Sequence, residues 1–274
     1  MRFEQLGKAT YKEDGKRTDG SASPTVTNVE AFVPLSHTLN EDKKLQSAWI
    51  GLFRSKFLAL HTRDIEFETS PSEVFNLDMG IVRMKRIKSN QMVFYGLVLS
   101  MYSSHANLFE FRARNIFYSL VGAHIWEINP QLQLGVGGVV TMLFGYPLPI
   151  PFPYVKWKWG DRYMFDVQFI SSPKVRISMM PSKKIVLGLE YNIRGATALE
   201  TVEGSKKMLN HTYKLATVVG TYKYKKFDIY SHVGVNFGRK MKFRDRKLKS
   251  YFTNNDTNFD PSFYMSVGVK YNLY

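Results

Sequence analysis

The chain has 274 residues, a formal net charge of +15 and no cysteine. The missing thiols exclude a disulfide scaffold, a thiolate metal centre and a cysteine nucleophile. No run of roughly 18 apolar residues occurs, which excludes a membrane-spanning helix, while 16 Tyr and 20 Phe make the chain rich in aromatic residues.

Helical spacing is nearly absent and alternation of period two recurs from end to end. It predicts strands over 1–11, 25–38, 46–61, 74–87, 91–103, 115–127, 132–144, 152–159, 162–170, 174–180, 184–193, 209–224, 226–238 and 262–274. In 91–103, Met92, Phe94, Gly96 and Val98 share one face, opposite Val93, Tyr95, Leu97 and Leu99. In 132–144 both faces are apolar, with Gly135, Gly137 and Gly138 between. In 183–192, Ile185, Leu187, Leu189 and Tyr191 alternate with Lys184, Gly188, Glu190 and Asn192. In 226–238, Phe227, Ile229, Val233, Val235 and Phe237 oppose Lys226, Asp228, Tyr230, His232, Gly234 and Asn236. The last segment alternates Phe263, Met265, Val267, Val269, Tyr271 and Leu273 with polar or small residues up to the terminal Tyr274.

A soluble antiparallel sheet alternates in the same way. Strand length argues for a membrane instead: the clearest segments run about ten to thirteen residues, where soluble strands cluster near five or six and tilted membrane strands need about nine to eleven. Phe227 and Phe237 close the two ends of one apolar face, about 25 Å apart at the usual tilt, the height of the band between aromatic girdles. Trp157, Trp159 and Tyr163 surround one turn, where a girdle is expected. The expected fold is all-β: a transmembrane antiparallel up-and-down β-barrel, one domain over 1–274, with fourteen strands, or twelve if the short segments of 152–180 are counted otherwise.

Connection lengths supply a second test. Short turns are expected at 88–90, 129–130, 160–161, 181–183 and 225–226, with a slightly longer one at 39–45. The connections at 12–24, 62–73, 104–114, 145–151, 171–173, 194–208 and 239–261 fall on the other end, and five of these seven are long. Outer-membrane barrels carry short periplasmic turns and long outer loops, which gives the chain its expected orientation and address. Met1-Arg2-Phe3-Glu4 lacks a leader's apolar core, so a removed export leader is expected upstream.

The run Pro147-Leu148-Pro149-Ile150-Pro151 leads through Trp157 and Trp159 into Phe165-Asp166-Val167-Gln168-Phe169-Ile170-Ser171-Ser172-Pro173. It continues as Val175-Arg176-Ile177-Ser178-Met179-Met180-Pro181 and Ile185-Val186-Leu187-Gly188-Leu189-Glu190-Tyr191. This stretch resembles small outer-membrane barrels of Bacteroidota, a family of unknown function. The resemblance is specific over about 145–195. It implies a barrel and an outer-membrane address, and no catalytic residues.

The polar phase of the strands should line the lumen. Across the C-terminal half that wall comprises Lys156, Lys158, Asp166, Gln168, Lys174, Arg176, Glu190, Asn192, Lys226, Asp228, Lys270 and Asn272, six basic and three acidic. Two readings follow: internal ion pairs that plug a narrow barrel, or a water channel that mildly favours anions. The opposite wall carries an apolar stripe, which needs a cover. Pro147, Pro149, Pro151 and Pro153 hold their segment extended and remove backbone donors, so 146–153 is expected either to fold inward as a plug or constriction, or to form a stiff surface loop.

The densest charge run is Arg239, Lys240, Lys242, Arg244, Arg246, Lys247 and Lys249, with one acid, Asp245, among them. It reads as a contact for lipopolysaccharide phosphates or acidic glycans, as a solvated loop, or as strand prolonged past the membrane. Membrane strands on both sides speak against nucleic acid.

No serine follows any of His37, His61, His105, His124, His211 or His232 at the two-residue spacing of barrel deacylases. No histidine pair has metal spacing and no phosphate-cradling loop is present. Neither an enzyme, a cofactor nor a metal is therefore expected, and His124 and His232 read as packed lumen residues. The functional expectation is a porin-like channel for small solutes. The alternatives are a transporter of hydrophobic compounds, and a closed barrel serving as a complex subunit or surface-binding protein. Outer-membrane lipid, with lipopolysaccharide and a membrane-protein or lipoprotein partner, completes the expected surroundings.

Overall fold

The computed structural model describes residues 1–272 except 14–15, 41–44, 65–70, 105–115, 143–146, 170–171, 203–204 and 246–256. Eighteen strand segments form fourteen staves of one closed antiparallel sheet. The first stave is β1 (Arg2–Leu6) and β2 (Ala9–Glu13), and the second is β3 (Lys16–Ala22) and β4 (Thr25–Leu39). The third is β5 (Leu45–Ala59) with β6 (Thr62–Arg63). Then come β7 (Glu73–Lys88), β8 (Gln91–Ser103), β9 (Ile116–Asn129), β10 (Leu132–Thr141), β11 (Leu148–Trp159), β12 (Tyr163–Gln168) and β13 (Lys174–Ser182). The long staves β14 (Ile185–Val202), β15 (Ser205–Tyr224) and β16 (Phe227–Asp245) follow, and β17 (Thr257–Phe259) with β18 (Ser262–Tyr271) makes the last. Pairing of β1 with β18 and of β2 with β17 seals the seam. The Met1 ammonium donates to Val269 O at 2.8 Å, so the two chain ends lock together.

The fourteen-strand expectation holds, and all six short connections lie on one end, called here the turn end. The apolar phase faces outward: Phe263, Met265, Val267 and Val269 are exposed, while Ser262, Tyr264 and Ser266 between them are buried. A barrel with apolar exterior and polar interior is stable only in lipid, where the closed ladder satisfies every paired backbone group. Aromatic side chains gather at the turn end. Trp157 and Trp159 lie 5.1 Å apart, Trp159 stacks on Tyr163 at 5.8 Å, and Phe227 meets Tyr271 at 5.1 Å. Aliphatic residues such as Leu97, Val136, Ile177 and Leu187 fill the band above them.

Three expectations about loops are corrected. Most of 12–24, 194–208 and the described part of 239–261 is strand, because β2–β3, β14–β15 and β16 continue as paired ribbons past the strand ends expected from the sequence. Their period is blurred in the sequence because Gly195 and Thr197 stand in the outward phase of β14, where a band would put large apolar residues. A bulge at Thr212/Lys214, opposite Gly238 at φ +60°, shifts the phase of β16 by one residue. Past that point Arg239 and Met241 turn inward and are buried, as an inserted residue in one strand requires.

Candidate functional site

Two features shape the lumen: a packed core on one side and an incomplete wall on the other. The core fills the half of the barrel away from the turns. Leu6, Val26, Leu58, Val74, Ala196, Ala198, Leu209, Tyr213, Met241 and Tyr264 pack there as one buried cluster. This is possible because the far half of β14 leaves the cylinder, crosses the lumen and packs against β7 and β8. The methyl side chains of Ala196 and Ala198 let it approach closely.

The crossing is held by charge. Glu4, with 0% exposure, accepts from Arg2 Nε at 2.8 Å, Asn28 Nδ2 at 2.6 Å, Arg194 Nη1 at 2.9 Å and the Tyr264 hydroxyl at 2.9 Å. Arg194, on the crossing strand, also donates to the Tyr264 hydroxyl at 2.6 Å and lies 3.6 Å from Glu190. A buried carboxylate with this many donors is fully paired, the condition under which a charge is tolerated away from water.

The incomplete wall lies between β11 and β14. The β12–β13 hairpin pairs with β11 only from Val155 to Trp159 and with β14 only up to Asn192. Residues 148–154 of β11 and most of 193–202 of β14 therefore have no strand partner on that side among the described residues. Seven residues of β11 at the usual rise and tilt span about 18 Å of height.

Both free edges are blunted. Lys158 N donates to Gln131 O, so even-numbered residues of β11 direct their amide groups toward β10. The odd-numbered Pro149, Pro151 and Pro153 occupy the positions that face the gap, where no donor is left to satisfy. On β14, Ile193 N donates to Pro173 O, so its odd residues face the gap. Thr197 N donates to Asn76 Oδ1 at 3.2 Å, Asn76 Nδ2 returns a bond to Thr197 O, and Lys56 Nζ reaches Gly195 O. Side chains from the far wall thus replace the missing strand.

At the foot of the gap lies a second apolar cluster. Phe94, Ala123, Ile125 and Phe152 are buried together, with Met84, Met92, Val121, Tyr154 and Phe169 against them. Phe152 stacks on Phe169 at 6.0 Å. Gly137 makes room: a Cβ there would lie 2.5 Å from Phe152 Cε2 and 2.6 Å from Ala123 Cβ.

Lys156, Asp166, Arg176 and Glu190 fall in one row across β11–β14 through successive register pairs. Their signs alternate. Lys174 lies 3.9 Å from Asp166, and Arg176 lies 3.9 Å from Glu190. Asp228 and Lys270 are cross-strand partners near the turn end, and Lys158 is exposed there. The row is an internal ladder of alternating charge.

The proline plug is corrected. Pro149, Pro151 and Pro153 lie within the wall strand β11, paired with Val140, Gly138 and Val136, and their rings are exposed, as is Pro147 just before the strand. The apolar stripe is covered by Phe152 and Phe169 instead. Arg239 also departs from its expected place. It is buried, donates to His211 Nε2 at 2.9 Å and to Ala22 O at 3.0 Å, and lies 4.1 Å over the Phe259 ring. Accepting from an arginine requires His211 Nε2 to be unprotonated. Lys240 stays exposed. Lys242 and Arg244 belong to the backbone of β16, their side chains being outside the described residues, as are Arg246, Lys247 and Lys249 altogether. His232 faces inward, 3.7 Å from Glu190. His124 does not: between the buried Ala123 and Ile125 it points outward, stacks on Trp126 at 4.3 Å and contacts Gln91 at 3.2 Å. Beyond the apolar band, Asp260 binds Lys12 at 2.5 Å and Arg17 at 2.8 Å. The Lys12 hydrogen bond and the two positive charges hold its carboxyl below the usual aspartate range.

Sequence reading missed the crossing strand, although Arg194-Gly195-Ala196-Thr197-Ala198, small residues behind a charge, is its trace. It missed Glu4 entirely, since one acid in an N-terminal strand carries no distinguishing pattern.

Among solved structures the chain is similar to LpxR from Salmonella typhimurium, at 6% identity and a TM-score of 0.34, over 99% of this chain and 100% of that one. It is also similar to a mutant of Rh. blastica porin, at 9% identity and a TM-score of 0.27, over 97% of this chain and 98% of that one. Likeness at this level carries nothing about activity. No curated protein matches the sequence. A family model described as a domain of unknown function, DUF6268, matches residues 2–272, and the chain belongs to that family.

Proposed function

We propose that the protein is an outer-membrane barrel that takes up an apolar or amphipathic small molecule, acting by binding and passage and not by covalent catalysis. One observation carries the reading: β14 crosses to β7 and its side of the lumen is a packed core, while above the charged row the remaining inner wall is built on the buried apolar cluster of Phe94, Ile125 and Phe152. A pore for hydrated ions needs a continuous wet path, and an aromatic inner wall suits hydrocarbon. Lipid and lipopolysaccharide surround the barrel in this reading, with Lys240 on the face that would meet anionic headgroups.

The anion-favouring channel is the second reading. It draws on Lys156, Lys158 and Lys270, which keep some exposure near the turn end, and it requires steady ionic current.

The test is binding of cis-parinaric acid to the folded barrel, followed by energy transfer from its tryptophans. Saturable transfer that Phe152→Ser weakens about tenfold or more, the range of one lost large apolar contact, supports the proposal. Transfer that never saturates, or that Phe152→Ser leaves untouched, overturns it.

A further inference from the structure

We infer that the gap between β11 and β14 is a lateral port through which a lipid acyl chain of the surrounding bilayer reaches the apolar cluster around Phe152. The inference rests on the reading just given and names its route and ligand class.

Height is the first observation. Next to β11, β10 bears the outward apolar band at the height of the gap: Val136, opposite Pro153, and Val140, opposite Pro149, are exposed. The β12–β13 hairpin stops at Gln168 and Lys174, whereas β11 continues through residues 148–154. The gap therefore opens partly at the level of hydrocarbon, and what stands before it is an acyl chain.

Edge chemistry is the second. An unpaired backbone donor or acceptor facing lipid costs several kcal/mol, so a wall left open by accident would be penalised at every residue. Here the donors are absent at Pro149, Pro151 and Pro153, and on β14 the Gly195 carbonyl is bonded by Lys56 and both backbone groups of Thr197 by Asn76. Both edges thus carry fewer unpaired donors than an ordinary strand edge, and among the described residues no strand pairs across the space between them.

Phase is the third. Ile150 shares the inward phase of Phe152 and pairs with the inward Val139, yet it is 42% exposed. An inward aliphatic residue at this depth, beside an aromatic floor, matches a methylene chain in size and polarity.

The experiment exploits the absence of native cysteine. Ile150→Cys is labelled with bimane and the protein is reconstituted in phosphatidylcholine vesicles, with and without doxyl groups on the stearoyl chain. Outward Val140→Cys and lumen-facing Glu30→Cys serve as references, and Val139→Cys is read if Ile150→Cys does not fold. The port predicts quenching at position 150 comparable to that at 140 and well above that at 30. Quenching at 150 no greater than at 30, with 140 fully quenched, overturns it. Saturable parinaric-acid binding with no lipid quenching at 150 leaves the uptake reading standing and removes the port. Lipid quenching without saturable binding leaves an opening and removes the uptake reading.

Discussion

Replacing Glu4 by glutamine tests what holds the crossing strand. The carboxylate is buried and accepts from four side chains on β1, β4, β14 and β18, with the Tyr213 hydroxyl of β15 further off at 3.4 Å. Glutamine keeps the shape and removes the charge, leaving Arg194 buried with Glu190 at 3.6 Å as its remaining counter-ion. Breaking one side of a buried pair costs about 3–5 kcal/mol. Glu190 compensates in part, so the expected loss lies at the lower end, about 3 kcal/mol. The assay is urea unfolding of the barrel in lipid vesicles by tryptophan emission, with gel mobility of the unheated protein as a second probe. Adding Arg194→Met to Glu4→Gln should recover part of the loss, with a coupling of about 2 kcal/mol. A Glu4→Gln barrel within about 1 kcal/mol of the parent, with no coupling to position 194, refutes the network as the tie that holds β14.

Asn76→Leu removes the amide that pairs with both backbone groups of Thr197, and a loss of about 2 kcal/mol is expected by the same unfolding assay, with faster amide exchange at Thr197. Gly137→Val places branched carbon where a Cβ already meets Phe152 and Ala123. It should lower stability by about 1–3 kcal/mol and weaken parinaric-acid binding, whereas Gly220→Ala, where a Cβ would meet only ordinary contacts at 3.6 Å and beyond, should leave that binding unchanged. Asp260 should titrate below free aspartate in a carbon-detected NMR titration. Its pKa is lowered in the fold, so its contacts with Lys12 and Arg17 are complete above the free-aspartate value of 3.8 and are lost as pH falls through the lower folded value. Amide exchange across the β2–β17 pairing should therefore rise only in that acid window.

The barrel was legible because its cause is local. Alternation, strand length and girdle aromatics such as Trp157, Trp159 and Phe227 are written residue by residue, and six short turns fix the parity. The divided lumen was not, because its causes are distant in sequence. Glu4 and Arg194 are 190 residues apart, and nothing at either position announces the other. Arg239 shows the same limit in miniature: it opens the basic run, yet the bulge at Gly238 turns it inward while Lys240 stays outside. The prolines of 147–153 carried a true physical signal, extension and missing donors. It reads as a plug or as a stiff loop, and not as a wall strand, because the sequence alone does not reveal that β12 and β13 stop short beside them.

Single-channel recording of the purified, folded barrel in a planar bilayer tests the divided lumen most directly. No steady ohmic conductance is expected for the parent, with current appearing when Lys56 and Asn76, the side chains that bind β14 from the far wall, are both truncated to alanine. A stable, anion-selective conductance of porin size in the parent, reduced by neutralising Lys156 and Lys174, would contradict the divided lumen and restore the open channel.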